Sequence, residues 1–589
     1  MRGMNQAMSD KVEERTGAEE VTWNLGDLYQ GADDPAIDAD LDSADARADA
    51  LAEKHRGRIA DLGAADLLAL VTEYEAIGEL AAKPSAFAYL IWSTNTEDAQ
   101  YGALLQKTNE RASRLQQKLV FFSVEWANVP DEKANALLND PQLAHYKHWL
   151  ELERRYRPYL LSEPEEKILA EKAITGRQAW SRFFDEVHGA HRYAWDGEMV
   201  PESVVLTKLF DADRDVRRRA ATSVTSGLKE ISRTTTYILN TILADKASDD
   251  RLRGYPTWIT SRNMSNEVDD QTVDTLIEAV TARYDVVNRY YHLKRRLLGL
   301  DELFDYDRYA PLPAADRRYT WDEAQGIVLD AYRKFHPHMA EVTSLFFEKS
   351  WIDAPIRPGK RGGAYSHGVT PSVHPYIFMN YDATSESVMT LAHEMGHGIH
   401  QWLSREQGLL QADTPLTTAE TASVFGEMLT FQSMMAQEDD PAVRLAMLVR
   451  KIEGSFATVF RQVSMNRFED GAHTARRAEG ELTTDRFCEL WLTTQRAMFG
   501  DSLTMTDDYG LWWSYIPHFI ETPGYVYAYA FGELLVLALY ARYQEQKDGF
   551  AENYIAMLSA GGSDWPHEIV RPLGVDLTDP DFWKQGVQI

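Results

Sequence analysis

Residues 386–406 read ESVMTLAHEMGHGIHQWLSRE, and this stretch is the starting point for interpreting the rest of the chain. Its apolar residues recur every three or four positions, which is the spacing of one face of an α-helix. They are Val388, Leu391, Ala392, Met395, Ile399 and Trp402. The segment is therefore predicted to be a helix that packs this face against the core.

Two histidines of this helix have the spacing of metal ligands. His393 and His397 are four residues apart, so their Cβ atoms lie about 5–6 Å from each other on neighbouring turns. Both imidazoles can then reach one zinc ion at about 2.0–2.1 Å. Glu394 directly follows the first histidine, so its side chain leaves the helix at a position about 100° further around the axis. We expect it to act as a general base on a water molecule at the metal without being a ligand itself.

His400 is a tempting third ligand, but its position on the helix is unfavourable. It lies seven residues after His393, about 10 Å along the axis of a straight helix. We therefore interpret it as a structural or supporting residue rather than a ligand. The metzincin class of zinc peptidases is excluded, because it requires Gly at position 400 and His at 403, where this chain has His400 and Leu403.

A carboxylate from a later segment is a better third ligand. Residues 417–427 read TTAETASVFGE, so threonines that can cap a helix are followed by Glu420 and Glu427 on one face. Glu420 is predicted to be the ligand. Glu427, two turns further along, could orient a ligating histidine through a hydrogen bond, with a solvated acid as the alternative. Glu406 and Asp413 are weaker candidates, because they follow closely behind the first helix.

Most of the remaining chain also shows helical periodicity. Ser162 and Glu165 have the spacing of a capping box at the start of one helix. Apolar residues three or four apart occur in the segments 39–55, 64–82, 98–126, 271–298 and 322–349. The sequence therefore predicts a mostly α fold.

Strand signals occur in two places. Asp196-Gly197 lies between two β-favouring segments and predicts a hairpin. Residues 362–381 are rich in β-favouring residues and directly precede the metal-binding helix, so we expect one small sheet beside the chemistry. We place a soft domain boundary near the hairpin, giving a helical region at 1–190 and a catalytic region at 191–589.

The amino-acid composition limits which binding partners and which cellular location we expect. The chain has 589 residues, with 61 Lys and Arg against 91 Asp and Glu, a net charge of −30. This acidic balance argues against nucleic-acid and anionic-membrane partners. The single cysteine, Cys488, excludes an internal disulfide framework and a cysteine-based zinc finger. The amino terminus lacks the apolar segment of a secretion signal, and the apolar stretch around 534–540 is too short to span a membrane. We expect a cytoplasmic protein.

The order of five motifs resembles a known family. They are GKRGGAYSHG (359–368), HPYIFMN (374–380), TLAHEMGHGIHQ (390–401), AETASVFGEML (419–429) and IPHF with GYVYAYAFGE (516–519 and 524–533). This pattern is similar to oligoendopeptidase F, the bacterial branch of the thimet oligopeptidase family of zinc peptidases. The resemblance covers at least residues 359–533. It implies a large helical zincin-type metallopeptidase, with a deep channel that admits short peptides and excludes folded proteins.

The resemblance also implies roles for individual residues. One zinc ion per chain would be held by His393, His397 and Glu420. The family places a histidine and one or more tyrosines over the scissile carbonyl, and His518 matches that histidine. Among the tyrosines that follow, Tyr525 is our first candidate for catalysis and Tyr529 our second, with a role in substrate binding.

From the residues and the resemblance together we expect a zinc-dependent endopeptidase that hydrolyses internal bonds of short peptides. Glu394 would take a proton from the attacking water and pass it to the leaving amine. The edge of the 362–381 strands, with Gly363 and His374, would bind the substrate backbone by strand addition. Cobalt or manganese could occupy the same ligands, because geometry and availability decide which metal binds.

Two alternatives remain open at this stage. A metallocarboxypeptidase would need a cation for the terminal carboxylate of the substrate, for which Arg461 and Arg467 are candidates. A non-catalytic peptide-binding protein is the second alternative, although binding alone does not require a base at Glu394.

Overall fold

Helices dominate the computed structural model, which describes residues 15–312 and 317–588. Residues 1–14, where we expected no secretion signal, lie outside the described part. The helices are Pro35–His55 (α1), Ala64–Thr94 (α2), Ala99–Asn128 (α3), Asp131–Leu138 (α4), Lys147–Arg155 (α5), Glu163–Thr175 (α6), Arg177–Ala190 (α7), Glu202–Thr207 (α8), Arg214–Arg253 (α9), Thr260–Ser265 (α10), Asp270–Thr281 (α11), Tyr284–Leu297 (α12), Trp321–Phe335 (α13), Pro337–Glu348 (α14), Ser385–Ser404 (α15), Leu416–Ala419 (α16), Thr421–Gln437 (α17), Pro441–Thr458 (α18), Phe460–Glu479 (α19), Thr484–Phe499 (α20), His518–Glu521 (α21), Tyr527–Glu545 (α22), Phe550–Ala560 (α23), Pro566–Val570 (α24) and Pro580–Gln588 (α25). The predicted α class is confirmed.

The observed helix boundaries confirm one start predicted from the sequence and divide two of the periodic segments. The capping box of Ser162 and Glu165 is present at the start of α6. The segment 271–298 is two helices, α11 and α12, separated at Ala282 and Arg283. The segment 322–349 is also divided, because Pro337 restricts the preceding residue and His336 is extended with φ −156° and ψ 132°. Periodicity alone did not reveal these breaks, since the apolar spacing continues across them.

Five short strands form two sheets. They are Tyr193–Trp195 (β1), Glu198–Val200 (β2), Ile352–Asp353 (β3), Tyr365–His367 (β4) and Tyr376–Phe378 (β5). β1 and β2 form the predicted hairpin, with positive φ at Asp196 and Gly197 as a tight turn requires. The other sheet has the order β3-β5-β4, with β3 parallel and β4 antiparallel to β5.

The three-stranded sheet packs against the helix that carries the two histidines. A Cβ at Gly398 of α15 would lie 3.5 Å from the side chain of Ile377 on β5. The Ser366 hydroxyl of β4 donates to Gln401 of α15 at 2.8 Å. The expectation of a small sheet beside this helix is therefore confirmed. The division of the chain at residue 190 stays a prediction.

Glycines allow α15 and α17 to approach closely. A Cβ at Gly396 would lie 2.4 Å from the backbone oxygen of Ala422, and one at Gly426 would lie 2.0 Å from the Tyr332 hydroxyl. That hydroxyl donates to the Ala392 carbonyl at 2.9 Å. Any side chain at Gly396 would push the backbones apart. This close approach brings the start of α17 beside the histidines of α15.

None of the helices in the described ranges is both long enough and apolar enough to span a lipid bilayer.

Candidate metal centre and active site

Helix α15 presents its two histidines at the surface of a cleft and buries the glutamate between them. The Thr384 hydroxyl caps the helix by accepting from the Ser387 amide. His393 and His397 are partly exposed, and their rings lie 4.8 Å apart. Glu394 is buried. Burial raises the pKa of the Glu394 carboxyl, an effect that His393 and His397 oppose.

Glu420 completes a group of three potential metal ligands. It lies where α16 ends and α17 begins, and its Oε2 is 3.4 Å from Nε2 of both His393 and His397. The ligand atoms of the three residues lie within 4.8 Å of one another, the only such group among residues 15–312 and 317–588. The Ser423 hydroxyl donates to the Glu420 carboxylate at 2.8 Å and fixes it.

The chemistry of these side chains fits a zinc ion. Two imidazoles and one carboxylate form the protein ligand set of a catalytic zinc site, which leaves a further position open. Burial would raise the pKa of the Glu420 carboxyl, but His397 and His393 lower it to about 2, so this ligand is ionised at neutral pH. Glu406, Asp413 and His400 do not join the group; His400 is buried, which lowers its pKa to about 4.

Glu427 contacts His393 at the ring nitrogen that faces away from Glu420. Its Oε1 lies 2.6 Å from Nδ1 of His393, which leaves Nε2 of the same ring towards Glu420. Lys451 of α18 lies 3.6 Å from the other oxygen of Glu427 and 3.8 Å from Glu533. The alternative of a solvated acid at Glu427 does not match this geometry. The contact with Nδ1 is the arrangement that fixes the orientation of a ligating imidazole.

His518, Tyr525 and Tyr529 lie together near this group. Nε2 of His518 is 3.2 Å from the Tyr529 hydroxyl, and the rings of Tyr525 and Tyr529 are 4.8 Å apart. Tyr529 also lines a cavity of about 330 Å³ together with His393 and Glu420. Burial raises the pKa of both tyrosine hydroxyls, so they remain protonated and able to donate at neutral pH.

The loop before Tyr525 is held by a residue that sequence reasoning missed. Glu469 of α19 is fully buried, and its Oε1 accepts from the Gly524 amide at 2.8 Å. Gly524 has φ +77°, and a Cβ there would contact Trp258, Ile259 and Arg262. Burial raises the pKa of Glu469 to about 8, although the Gly524 amide and Arg262 oppose the shift. Nothing in the local sequence marks this contact, which spans 55 residues.

The raised pKa of Glu469 predicts a specific pH dependence of stability. The folded state keeps a proton that the unfolded chain releases near pH 4.5, so the free energy of unfolding falls as the pH rises from about 4.5 to about 8, by up to about 1.4 kcal/mol per pH unit. Glu469→Gln keeps an oxygen for the Gly524 amide and removes the ionisation. Urea unfolding at pH 5, 6, 7 and 8 should show this variant gaining stability over the wild type as the pH rises.

The matched control for this experiment is Glu348→Gln, which changes an exposed glutamate at the end of α14. Its difference from the wild type should stay constant over the same pH range. Parallel unfolding profiles for Glu469→Gln and the wild type would contradict the assignment.

The two remaining predicted substrate-binding residues lie in the sheet region. Gly363 is exposed with φ +82°, and its carbonyl accepts from Asn380 at 2.9 Å. His374 is buried, with its ring stacked on Trp351 at 3.8 Å and its Nε2 3.1 Å from Asp27. His374 is not among the residues that line the cavity around His393.

Within residues 15–312 and 317–588, β4 has a neighbouring strand on one side only. The amides of Ile377 and Met379 donate to the carbonyls of Trp351 and Asp353 on the β3 side. Because bonding direction alternates along a strand, Tyr376 and Phe378 bond to β4, and Ser366 opposite Ile377 directs its backbone groups away from the sheet. A Gln401 amide approaches the Ser366 carbonyl at 3.4 Å. A peptide that added to this edge would therefore have to replace the Gln401 contact at the Ser366 carbonyl.

The two arginines considered for a terminal carboxylate have different surroundings. Arg467 contacts Asn466 at 2.8 Å and Asp470 at 3.6 Å, and it lines a separate cavity with Trp258. Arg461 lies close enough to His518 to lower the pKa of that imidazole, in addition to the larger effect of burial. Of these two arginines, Arg461 is the one whose charge acts on His518.

Comparison with known proteins assigns most of the chain to one family. The sequence model of peptidase family M3 matches residues 209–589, and a model described as Oligopeptidase F matches residues 125–193. Oligopeptidase PepF of Bacillus subtilis is 27% identical, over 98% of this chain and 88% of its own length. Group B oligopeptidase PepB of Streptococcus agalactiae is also 27% identical, over 84% of this chain and 83% of its own.

Solved structures show the same fold. A protein from Chlamydophila abortus, described as a peptidase, is 25% identical with a TM-score of 0.81, over 96% of this chain and 97% of its own. Oligoendopeptidase-F from Enterococcus faecium is 23% identical with a TM-score of 0.70, over 94% of this chain and 95% of its own. The helical architecture described above is therefore shared along nearly the whole length.

Proposed function

Because the chain belongs to peptidase family M3, it is a metallopeptidase, and we propose that it is a zinc-dependent endopeptidase that hydrolyses internal bonds of short peptides. The observation that carries this proposal is the convergence of His393, His397 and Glu420 beside the buried Glu394. Relatives named oligoendopeptidase F, such as that of Lactococcus lactis at 25% identity over 97% of this chain, support the choice of an internal bond in an oligopeptide.

His393, His397 and Glu420 would hold the zinc ion. When bound, zinc polarises a carbonyl oxygen and lowers the pKa of a water molecule towards about 7. Glu427 keeps the His393 ring oriented through Nδ1, and Ser423 does the same for the Glu420 carboxylate. These contacts prepare the site so that little reorganisation is needed when the metal binds.

Glu394 is the general base of the proposed mechanism. It removes a proton from the attacking water molecule as the oxygen bonds to the scissile carbonyl carbon, and then gives that proton to the nitrogen of the leaving amine. Burial raises the pKa of this carboxyl towards the pH at which it must both accept and return a proton. The carboxylate is thus suited to both transfers.

Tyr529 and His518 stabilise the negative charge that develops on the carbonyl oxygen. Tyr529 lines the cavity with His393 and Glu420, its ring contacts that of Tyr525, and its hydroxyl is 3.2 Å from Nε2 of His518. A protonated hydroxyl fixed near the reacting carbon can donate to an oxyanion without reorganising. We assign Tyr529 the direct contact, and Tyr525 and His518 its support.

The free edge of β4 binds the substrate backbone. Ser366 points its amide and carbonyl away from the sheet, and β4 packs against α15. Strand addition at this edge orients an extended peptide through backbone hydrogen bonds, which gives affinity with little dependence on side chains. Gly363, which is exposed just before β4, leaves room for the peptide to approach.

Cleavage of peptides blocked at both ends tests this function. Mass spectrometry should find fragments from cuts at internal bonds, because an endopeptidase requires neither free terminus. A chelator should stop the cleavage, and zinc added in excess of the chelator should restore it. Removal of residues only from peptides with a free carboxy terminus would favour the carboxypeptidase alternative. No cleavage of any peptide with zinc present would contradict the proposal.

A further inference from the structure

Lys451 of α18 lies between two carboxylates that belong to two other helices. Its Nζ is 3.6 Å from Oε2 of Glu427 on α17 and 3.8 Å from Oε1 of Glu533 on α22. The lysine side chain is 17% exposed, and Glu533 is buried. Solvent and salt screen ion pairs in such surroundings less than they screen pairs on the surface. Lys451 therefore makes a charged contact that joins α17, α18 and α22.

The contact of Lys451 with Glu427 continues to one of the proposed zinc ligands. The two oxygens of Glu427 have different partners, since Oε2 faces Lys451 and Oε1 lies 2.6 Å from Nδ1 of His393. The attraction of the ammonium group for one oxygen restricts rotation of the carboxylate, which also fixes the direction of the other oxygen. A group that contacts the second nitrogen of a ligating imidazole sets the orientation of its ring. Lys451 is thus connected to the orientation of His393 through a single side chain.

The ammonium group of Lys451 keeps its charge at neutral pH. Burial alone would lower its pKa, but Glu533 and Glu427, with a smaller effect of Glu386, raise the pKa above its ordinary value. If this cation were removed, Glu427 and Glu533 would face each other as like charges in a site partly shielded from water. Their repulsion would move the Glu427 carboxylate away from its place beside His393.

Polar contacts contribute strongly to the placement of Lys451, because α18 buries little apolar surface. Of the residues of α18, all of which the structure describes, Val449 alone is buried. Ser455, one turn after Lys451, donates its hydroxyl to the same oxygen of Glu533 at 2.7 Å. Two side chains of α18 therefore meet one carboxylate of α22. Glu533 holds Lys451 at the position from which its ammonium group reaches Glu427.

We propose that Lys451 is a positioning residue of the metal centre, which fixes the carboxylate of Glu427 and, through it, the ring of His393 in the orientation that binds zinc. This inference rests on the zinc site of the proposed function. Lys451 does not belong to the group of three potential ligands, so its removal weakens zinc binding without abolishing it. The effect reaches the metal only through Glu427.

The zinc affinity of the purified protein, measured without any peptide by competition with a chelator of known affinity, tests the proposal. Lys451→Met keeps most of the side-chain length and removes the charge. It should bind zinc about 10-fold more weakly, at the lower end of the effect of groups that orient a ligand. Lys451→Arg keeps the charge and should stay within about 3-fold of the wild type. Lys229→Met, at an exposed lysine of α9, is the control and should keep the wild-type affinity.

A double variant distinguishes positioning through Glu427 from a general loosening of the fold. Glu427→Gln alone should weaken zinc binding by about 10- to 100-fold. Adding Lys451→Met to Glu427→Gln should change the affinity by less than about 2-fold, because the group through which the lysine acts is already altered. A lysine that only stabilised the fold would weaken binding by the same factor in both backgrounds.

Three results would overturn the inference. They are an unchanged zinc affinity in Lys451→Met, a full additional loss in the double variant, and a loss in Lys451→Arg as large as that in Lys451→Met. Each of them leaves the proposed function in place, since the wild type still binds zinc and cleaves peptides. A wild type that binds no zinc would instead remove the proposed function and this inference together.

Circular dichroism and thermal unfolding of the metal-free proteins check that the variants fold. Should Lys451→Met not fold, Lys451→Gln replaces it, because a polar amide tolerates the neighbouring carboxylates better than a thioether does. The same loss of about 10-fold in zinc affinity is expected, since the amide also lacks the charge that orients Glu427. Wild-type affinity in Lys451→Gln would contradict the proposal.

Discussion

Replacing Glu394 by Gln is expected to lower kcat for peptide hydrolysis by about 10²- to 10⁴-fold, the contribution of a positioned general base. The amide has nearly the shape of the carboxylate, but it cannot accept and return a proton. Because Glu394 is not among the three ligand residues, the content of bound zinc should not change. The measurement is the initial rate on a blocked peptide, with zinc per chain determined by mass spectrometry of the same samples.

Glu341→Gln on α14 serves as the control, since it makes the same chemical change at an exposed site. It should retain the wild-type rate. Full turnover by Glu394→Gln with zinc in place would remove the general base from the mechanism. Loss of zinc together with activity would instead make Glu394 a contributor to the metal site.

The helix that we propose binds the metal was predictable from the sequence because its signals are local. The apolar spacing of α15 and the four-residue interval between His393 and His397 depend on helix geometry alone. Glu420 and Glu427 were also within reach, since their seven-residue spacing puts both on one helix face. The structure adds the contact of Glu427 with Nδ1 of His393, at 2.6 Å.

Other parts of the site depend on contacts between distant segments, which a single sequence does not reveal. Gly396 and Gly426 read as ordinary helix positions, yet a side chain at either would collide with the neighbouring element and separate α15 from α17. Glu469 reads as a helix glutamate, and its bond to Gly524 exists only in the folded chain.

The helix breaks and His374 illustrate a second limit. Apolar periodicity continues through 271–298 and 322–349, so it predicts helix without showing where one helix ends and the next begins. His374 lies in a motif beside the sheet, and the sequence suggested a substrate contact. Its burial against Trp351 and its interaction with Asp27 are contacts within the fold, with a residue 347 positions away in one case.

The proposed hydrolysis requires Glu420 to join His393 and His397 around a single cation, and the most direct test is the metal content of the purified protein. The wild type should hold about one zinc ion per chain, and Glu420→Gln should bind zinc more than about 100-fold more weakly, because a ligand contributes more than the partners that orient it. Competition with a chelator of known affinity gives this ratio. A wild type without stoichiometric metal, or a Glu420→Gln variant with unchanged zinc affinity, would contradict the account.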